Sequence, residues 1–234
     1  MTAPLAVDID GTLTGPERAL DPRALAALGE WAGPVVIATG KALPYPVALC
    51  EFAGRPIAVV AENGGVVCIG ADAAADGEGE LVVEGDREAA QAVADDYTDA
   101  GAGRDLGWGA LDIVNRWRET EVAVSRASPV EPLRELAAER GLDVVDTGFA
   151  YHVKSPAVDK GRALRTAADR LGLEGEDFVA IGDSENDAAA FQAAGRSFAV
   201  ANADATAKRA ADSVTEAAYS EGFLEALAGV EGER

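Results

Sequence analysis

Two carboxylates that follow an apolar run most constrain the fold of this chain. Residues 4–7 are apolar and lead directly into Asp8 and Asp10, which are followed by Gly11 and Thr12. If the run is a buried strand, its end carries two acidic groups, and burying a carboxylate costs several kcal/mol unless a partner compensates. Mg²⁺ prefers oxygen ligands of this kind. A turn is the alternative, because Asp and Gly are ordinary turn residues.

The composition indicates a globular protein. The chain has 234 residues, of which 48% are hydrophobic, so it can bury a substantial core. It has neither an apolar run long enough for a membrane helix nor the residue order of a signal peptide, which predicts a soluble cytoplasmic protein. Cys50 and Cys68 lack metal-site spacing, and we expect two free thiols.

The charge is strongly acidic. The formal net charge is −21, from 41 acidic and 20 basic residues. A field of this sign repels nucleic acid and anionic lipid, so we expect neither as a partner, and an anionic substrate would need a locally cationic site. The acidic residues are spread along the chain, which leads to the hypothesis of a halophilic protein; stability that fails to rise with salt would contradict it. A homodimer is one of the oligomeric states that the sequence allows.

Apolar, β-branched runs alternate with amphipathic segments over most of the chain. Continuous apolar strands that alternate with helices predict an α/β fold with a parallel sheet covered on both faces. The predicted strands are 4–9, 35–38, 57–60, 178–181 and 197–200. The predicted helices are 21–31, 44–53, 159–171, 186–194, 203–211 and 221–228.

A different pattern interrupts this alternation. Residues 70–80 are typical of a surface loop, and the segment after them predicts a small α+β module inserted into the first domain. Its predicted helices are 86–100 and 129–140, and its predicted strands are 112–115, 121–124, 143–146 and 150–154. We therefore predict a core from residues 1–80 and 156–234, with the inserted module at 81–155.

Polar residues follow the predicted core strands at their carboxyl ends. Asp8 and Asp10, then Thr39, then Asp183 occupy such positions, and Lys160 opens a helix. Ligands bind at this edge of open parallel sheets. Each signal alone has a plainer interpretation, such as the end of a strand, a loop pair or a helix-capping acid. Together they indicate a phosphate-and-metal site.

In combination, the motifs resemble those of the haloacid dehalogenase-superfamily phosphatases. The matching segments are 8–12, 39–40, 159–161 and 182–187. The insert resembles the type-2 cap of the Cof-like branch. Segments 62–65 and 115–120 are similar to those of the archaeal phosphoglycolate phosphatases, whereas Lys41 stands where that group has Asn.

The resemblance implies a Rossmann-like three-layer core with a C2-type cap. It implies Mg²⁺-dependent hydrolysis of a small phosphorylated metabolite, 2-phosphoglycolate, to glycolate and phosphate through an aspartyl-phosphate. The alternative is a sugar-phosphate phosphatase of the Cof-like group. A receiver-like signalling domain also combines acids, a Thr and a Lys around Mg²⁺, but Asp10 and the inserted module argue against it.

The resemblance also assigns roles to individual residues. The implied catalytic residues are Asp8, as nucleophile, and Asp10, as general acid and base. The implied phosphate-binding residues are Thr39, Gly40, Lys160 and Asn186. The implied metal ligands are Asp8, the backbone carbonyl of Asp10, Asp183 and Asp187.

Three further residues of the insert have no assigned role among these. His152 is the only histidine, and we predict a strand residue with a satisfied hydrogen bond rather than a base. Arg116 or Arg118 could pair with a substrate carboxylate. The alternative is a solvated strand on which Trp117 serves for packing.

Overall fold

The computed structural model describes residues 2–231, which form two sheets and the helices around them. The strands are β1 (Leu5–Val7), β2 (Val35–Ala38), β3 (Ala58–Ala61), β4 (Val66–Ile69), β5 (Glu80–Val83), β6 (Val122–Ser125), β7 (Asp143–Asp146), β8 (Ala150–Lys154), β9 (Val179–Gly182), β10 (Arg196–Ala199) and β11 (Ser213–Val214). The helices are α1 (Pro22–Glu30), α2 (Pro44–Phe52), α3 (Arg87–Asp99), α4 (Val130–Glu139), α5 (Lys160–Leu171), α6 (Ala188–Ala193), α7 (Ala205–Ala210) and α8 (Tyr219–Glu231).

The larger sheet forms the core of the molecule. Its strand order is β11-β10-β9-β1-β2-β3-β4-β5, and the first six strands in that order are parallel. The predicted α/β fold with a parallel sheet is therefore confirmed. The sheet extends further than predicted, because β4 and β5 add an antiparallel meander at its edge.

Side-chain alternation along the strands divides the core into two apolar layers. In β1, Leu5 and Val7 pack with helices α1, α2 and α8 on one face. Ala6 points to the other face, where it joins the cluster formed with α5, α6 and α7. Both faces of the sheet are thus covered, which explains why the strands are continuously apolar.

The inserted α+β module is also confirmed. Its three-stranded antiparallel sheet has the order β6-β8-β7, and α3 and α4 pack on one face of it. Val122, Val124 and Val153 share a separate apolar cluster with Tyr97 and Leu133 of those helices. We call residues 87–154 the cap. The predicted domain limits at residues 80 and 155 stay a prediction, and β5 lies in the core sheet.

The predicted strand at 112–115 is wrong. This segment forms turns, because the side chain of Asp112 accepts hydrogen bonds from the backbone N–H of Asn115 at 3.0 Å and from its amide group at 2.8 Å. Local side-chain bonds of this kind offer the backbone an alternative to a ladder. Over residues 2–231, the helices are all too short or too polar to cross a lipid bilayer.

Candidate active site

Three core strands bring the predicted site residues together. Val7 is paired with Ile37 of β2 and with Ile181 of β9, so the three strands end at the same edge of the sheet. Asp8, Thr39 and Asp183 follow these strands directly or within one residue. Side chains from segments far apart in sequence therefore meet at this edge.

Three acidic side chains at this edge form a compact group. Asp8, Asp183 and Asp187 each offer a carboxylate oxygen, and these oxygens lie within 4.8 Å of one another. We call these three residues the carboxylate cluster. Lys160, at the start of α5, is fully buried beside it, and its Nζ donates at 2.7 Å to Asp8 Oδ1 and at 2.7 Å to Asp187 Oδ1.

Backbone groups fix the orientation of Asp187. Its Oδ2 accepts hydrogen bonds from the N–H of Asp183 at 2.9 Å and of Ser184 at 3.0 Å. Glycines allow this close approach. A Cβ at Gly182 would lie 2.4 Å from Asp187 Cγ, and one at Gly11, where φ is +79°, would lie 2.1 Å from Asp183 Oδ2.

Within residues 2–231, the charges of the carboxylate cluster are only partly balanced. Burial raises the pKa of Asp8, and the charges of Asp187 and Asp10 raise it further, although Lys160 acts in the opposite direction. Burial and the charges of Asp8 and Asp187 likewise raise the pKa of Asp183. One ammonium group therefore faces three carboxylates, which fits a site for a hard divalent cation with oxygen ligands.

Asp10 lies outside the carboxylate cluster and is held by two cations. Its carboxylate accepts from Arg18 Nη2 at 2.9 Å and contacts Lys41 Nζ at 2.9 Å. The Arg18 guanidinium also stacks on the ring of Phe149 in the cap, 3.8 Å from the ring centroid. Asp10 thus lies between the carboxylate cluster and the cap.

The predicted phosphate-binding residues surround the same edge. Thr39 Oγ1 accepts from the backbone N–H of Lys41 at 3.2 Å. A Cβ at Gly40 would lie 2.9 Å from the amide oxygen of Asn63, and Asn186 donates to that same oxygen at 2.8 Å. Asn63 therefore connects two of the predicted residues, although the sequence assigned it no role of its own.

A second buried polar group joins the cap to this edge. Glu121 is fully buried and accepts from His152 Nδ1 at 2.7 Å, from Asn63 Nδ2 at 2.8 Å and from Arg118 Nη1. Arg118 Nη1 also donates to the backbone oxygen of Gly40 at 3.0 Å. We call Asn63, Arg118, Glu121 and His152 the junction network.

The charges of the junction network, in contrast, are balanced. Burial by itself raises the pKa of Glu121, but His152 and Arg118 outweigh that effect, and the pKa is lowered to about 2. Sequence reasoning missed this role of Glu121. The available signal was an ionisable residue next to the apolar run 122–124, a position that requires a buried partner.

Another carboxylate anchors the cap to the core beside this network. Glu62 is fully buried, and it accepts from the backbone N–H groups of Glu119 at 2.9 Å and Thr120 at 2.9 Å. Burial and the nearby charge of Glu121 raise its pKa. Glu62 and Asn63 both adopt left-handed backbone angles, with φ of 50° and 55°.

The core and the cap enclose a cavity of about 30 Å³. Asp8 and Asp10 line it from the core, and Arg118, Phe149 and His152 line it from the cap. The predicted hydrogen bond of His152 is present, but its ring also borders the space beside the carboxylate cluster. Arg118 is buried at the junction, whereas Trp117 is exposed.

Comparisons with known proteins agree with this architecture. The family model for haloacid dehalogenase-like hydrolases matches residues 138–227. A phosphoglycolate phosphatase of Natronomonas pharaonis is 58% identical over 97% of this chain and 97% of its own. One from Haloarcula marismortui is also 58% identical, over 97% of this chain and 96% of its own. The crystal structure of Thermoplasma acidophilum 0175 superposes with a TM-score of 0.82 at 26% identity, over 99% of both chains.

Proposed function

The chain belongs to the haloacid dehalogenase-like hydrolases, and we propose that it hydrolyses 2-phosphoglycolate to glycolate and phosphate. The observation that carries the proposal is the buried carboxylate cluster with Lys160 at the edge of the parallel sheet. The substrate is inferred from relatives that are 58% identical over nearly the whole chain and are named phosphoglycolate phosphatases.

Asp8 is the proposed nucleophile. Its carboxylate oxygen attacks phosphorus, the bond from phosphorus to the glycolate oxygen breaks, and an aspartyl-phosphate forms. Lys160, 2.7 Å from Asp8 Oδ1, offsets the negative charge that gathers at this point. Water then attacks phosphorus, releases inorganic phosphate and restores the Asp8 carboxylate.

Asp10 is the proposed general acid and base. It gives a proton to the departing glycolate oxygen and later removes one from the attacking water. Its position at the cavity wall, next to but outside the carboxylate cluster, supports this division of roles. Arg18 and Lys41, each 2.9 Å from its carboxylate, restrict its orientation.

The metal ligands are proposed to be Asp8, Asp183, Asp187 and the backbone carbonyl of Asp10. When bound, Mg²⁺ supplies positive charge that screens the carboxylate nucleophile from the phosphate dianion. The raised pKa values of Asp8 and Asp183, which follow from burial and from mutual repulsion, support a need for this charge. Thr39, Gly40, Lys160 and Asn186 are proposed to bind the phosphoryl oxygens.

The similarity to relatives, rather than the size of the site, favours 2-phosphoglycolate over a sugar phosphate, because the relatives that match nearly the whole chain are named phosphoglycolate phosphatases. The cavity between core and cap measures about 30 Å³, less than either substrate occupies, so both require a larger separation of cap and core. The sugar-phosphate alternative is therefore the second proposal, and substrate comparison separates the two.

The test is the rate of phosphate release from 2-phosphoglycolate and from glucose 6-phosphate, each with Mg²⁺ and with EDTA. We expect kcat/KM for 2-phosphoglycolate to exceed that for glucose 6-phosphate by at least about 100-fold, and EDTA to abolish both activities. A preference for glucose 6-phosphate would favour the second proposal. Full activity in EDTA would contradict the metal site.

A further inference from the structure

The proposed reaction assigns no role to His152, although it is the only histidine of the sequence and lies at the site. It is 1% exposed, and its ring borders the cavity opposite Asp8 and Asp10. A buried ionisable side chain at a substrate cavity, outside the catalytic set, is a candidate for substrate recognition.

Strand alternation directs His152 towards the core. Its neighbour Val153 joins the apolar cluster under α3 and α4, so His152 lies on the opposite face of the cap sheet. It is paired with Ala123 of β6 and Val145 of β7, which places it on the central strand of the sheet. The backbone around it is therefore fixed on both sides.

The junction network determines which ring nitrogen is available. Nδ1 is 2.7 Å from Glu121 Oε1, and a carboxylate can only accept, so Nδ1 carries the hydrogen. Among residues 2–231, the side-chain hydrogen bond found for the ring is the one through Nδ1, and His152 lines the cavity. Glu121 thus holds the ring by one nitrogen and leaves the other for a ligand.

Arg118 is less suited to bind the substrate. Its Nε donates to the backbone oxygen of Val114 at 3.1 Å, and its Nη1 donates to Gly40 and Glu121. The bond from Nη1 to Glu121 pairs the charge of Arg118 with that carboxylate. A second anion in the cavity would need a second cation on the cap side.

We propose that Nε2 of His152 binds the carboxylate of the substrate and that Glu121 is the positioning residue for this contact. The proposal rests on the proposed function, because it requires a phosphomonoester whose alcohol part carries a carboxylate. Both ring nitrogens then donate, so the ring is an imidazolium in the complex. Arg118 balances Glu121, and the imidazolium balances the substrate carboxylate. The charged groups that bond to the ring or line the cavity with it are Glu121, Arg118, Asp8, Asp10 and Lys41.

The position of the phosphoryl group supports this assignment. Asp8 and Lys160 are on the core side of the cavity, so the group that is transferred lies there. The part of the substrate that leaves then extends towards the cap. In phosphoglycolate, that part ends in the carboxylate.

The test compares His152→Asn with wild-type enzyme on 2-phosphoglycolate and on ethyl phosphate, which lacks the carboxylate. Asparagine retains a donor near the position of Nδ1, so the bond to Glu121 can persist while the group at Nε2 is lost. We expect KM for 2-phosphoglycolate to rise about 10- to 100-fold, as for the loss of a charged hydrogen bond, with ethyl phosphate changed less than about threefold. His152→Gln, which keeps a donor near Nε2, should recover part of the loss.

A spectroscopic measurement covers the case in which these variants fold poorly. With ¹⁵N-labelled histidine, the single imidazole can be observed in the full chain carrying Asp8→Asn, which prevents turnover. Adding 2-phosphoglycolate with Mg²⁺ should change the chemical shift of Nε2, whereas ethyl phosphate should leave both ring nitrogens unchanged.

The outcomes separate this inference from the proposed function. An equal loss on both substrates, or no loss on either, overturns the role of His152 even if the wild-type enzyme hydrolyses 2-phosphoglycolate. An imidazole ¹⁵N signal that does not change when 2-phosphoglycolate is added also overturns the role of His152. A wild-type enzyme with no preference for 2-phosphoglycolate over ethyl phosphate overturns the proposed function, and this inference with it.

Discussion

The carboxylate cluster and the junction network are both buried groups of charged side chains, but their charges are balanced differently. In the cluster, Lys160 is the one cation among residues 2–231 that bonds to Asp8 and Asp187, and the pKa values of Asp8 and Asp183 are raised by burial and repulsion. In the junction network, Glu121 has Arg118 and His152 as partners, and its pKa is lowered to about 2 despite burial.

The excess negative charge of the carboxylate cluster fits a site that binds a cation. The balanced charges of the junction network fit a group that holds the cap on the core. A buried charge without a partner is costly, so an excess of one sign persists only where a bound group compensates it. A balanced pair instead fixes the position of the segments that carry it. Substitutions should therefore have opposite effects on stability in the two groups.

The largest expected effect is on catalysis in the carboxylate cluster. Asp8→Asn removes the proposed nucleophile, and we expect kcat to fall at least about 1000-fold, equivalent to about 4 kcal/mol of barrier. Circular dichroism should show a retained fold. The control is Asp99→Asn, an exposed residue at the end of α3, which should keep wild-type activity. Activity of Asp8→Asn within about tenfold of wild type would remove Asp8 from this role.

The next effect is a loss of stability in the junction network. Glu121→Gln leaves the Arg118 guanidinium buried without its counter-charge, which should lower the free energy of unfolding by about 3 kcal/mol. Urea denaturation measures the change, with the exposed Glu78→Gln as control. A loss below about 1 kcal/mol would show that Glu121 does not hold the cap to the core by its charge.

Asp183→Asn should have the opposite sign in metal-free protein. It removes one of three crowded carboxylates, so we expect the free energy of unfolding in EDTA to rise by about 1 kcal/mol. Wild-type protein should gain about 2.7 kcal/mol from Mg²⁺ at 100 times its Kd, and the variant should lose most of this gain. Thermal unfolding with and without Mg²⁺ provides both values. A destabilised variant in EDTA would mean that the cluster is already balanced.

The smallest effect is on pH dependence. Because folding raises the pKa of Asp8 and Asp183, their contribution to stability is fully present below the usual Asp range and is lost as the pH rises through the raised pKa values. Glu121 behaves oppositely: its contribution is present above its usual pKa of 4.5 and is lost as the pH falls towards about 2. In EDTA, the free energy of unfolding should therefore be about 1 kcal/mol higher at pH 6 than at pH 9, and Mg²⁺ should reduce this difference. Curves that coincide with and without Mg²⁺ would argue against metal binding at the cluster.

Local signals in the sequence were sufficient to predict most strands of the core sheet. Short, continuous apolar runs such as 35–38 and 178–181, which alternate with helical segments, predict buried strands of a covered sheet, and both predictions are confirmed within one residue. The antiparallel strands β4 and β5 were not predicted. The apolar residues Ile113 and Val114 favour a strand at 112–115 in the sequence. The segment forms a turn instead, because Asn115 donates hydrogen bonds to the side chain of Asp112.

The residues of the candidate site were likewise predicted only in part. Asp8, Thr39, Lys160 and Asp183 were singled out because polar residues at strand ends or helix starts are visible in sequence. Their assigned roles stay predictions. The partners of Glu121 were not visible, because they lie at positions 63, 118 and 152 and only the folded chain brings them into hydrogen-bonding distance.

By itself, the sequence determined which segments are buried and which acidic residues end the core strands, because burial and strand pattern depend on neighbours along the chain. The tertiary structure alone decided that Lys160 contacts the carboxylate cluster and that Glu121 holds His152 at the cavity. The physical reason is that the balance of buried charge depends on distances in space, between residues as far apart as Asp8 and Lys160.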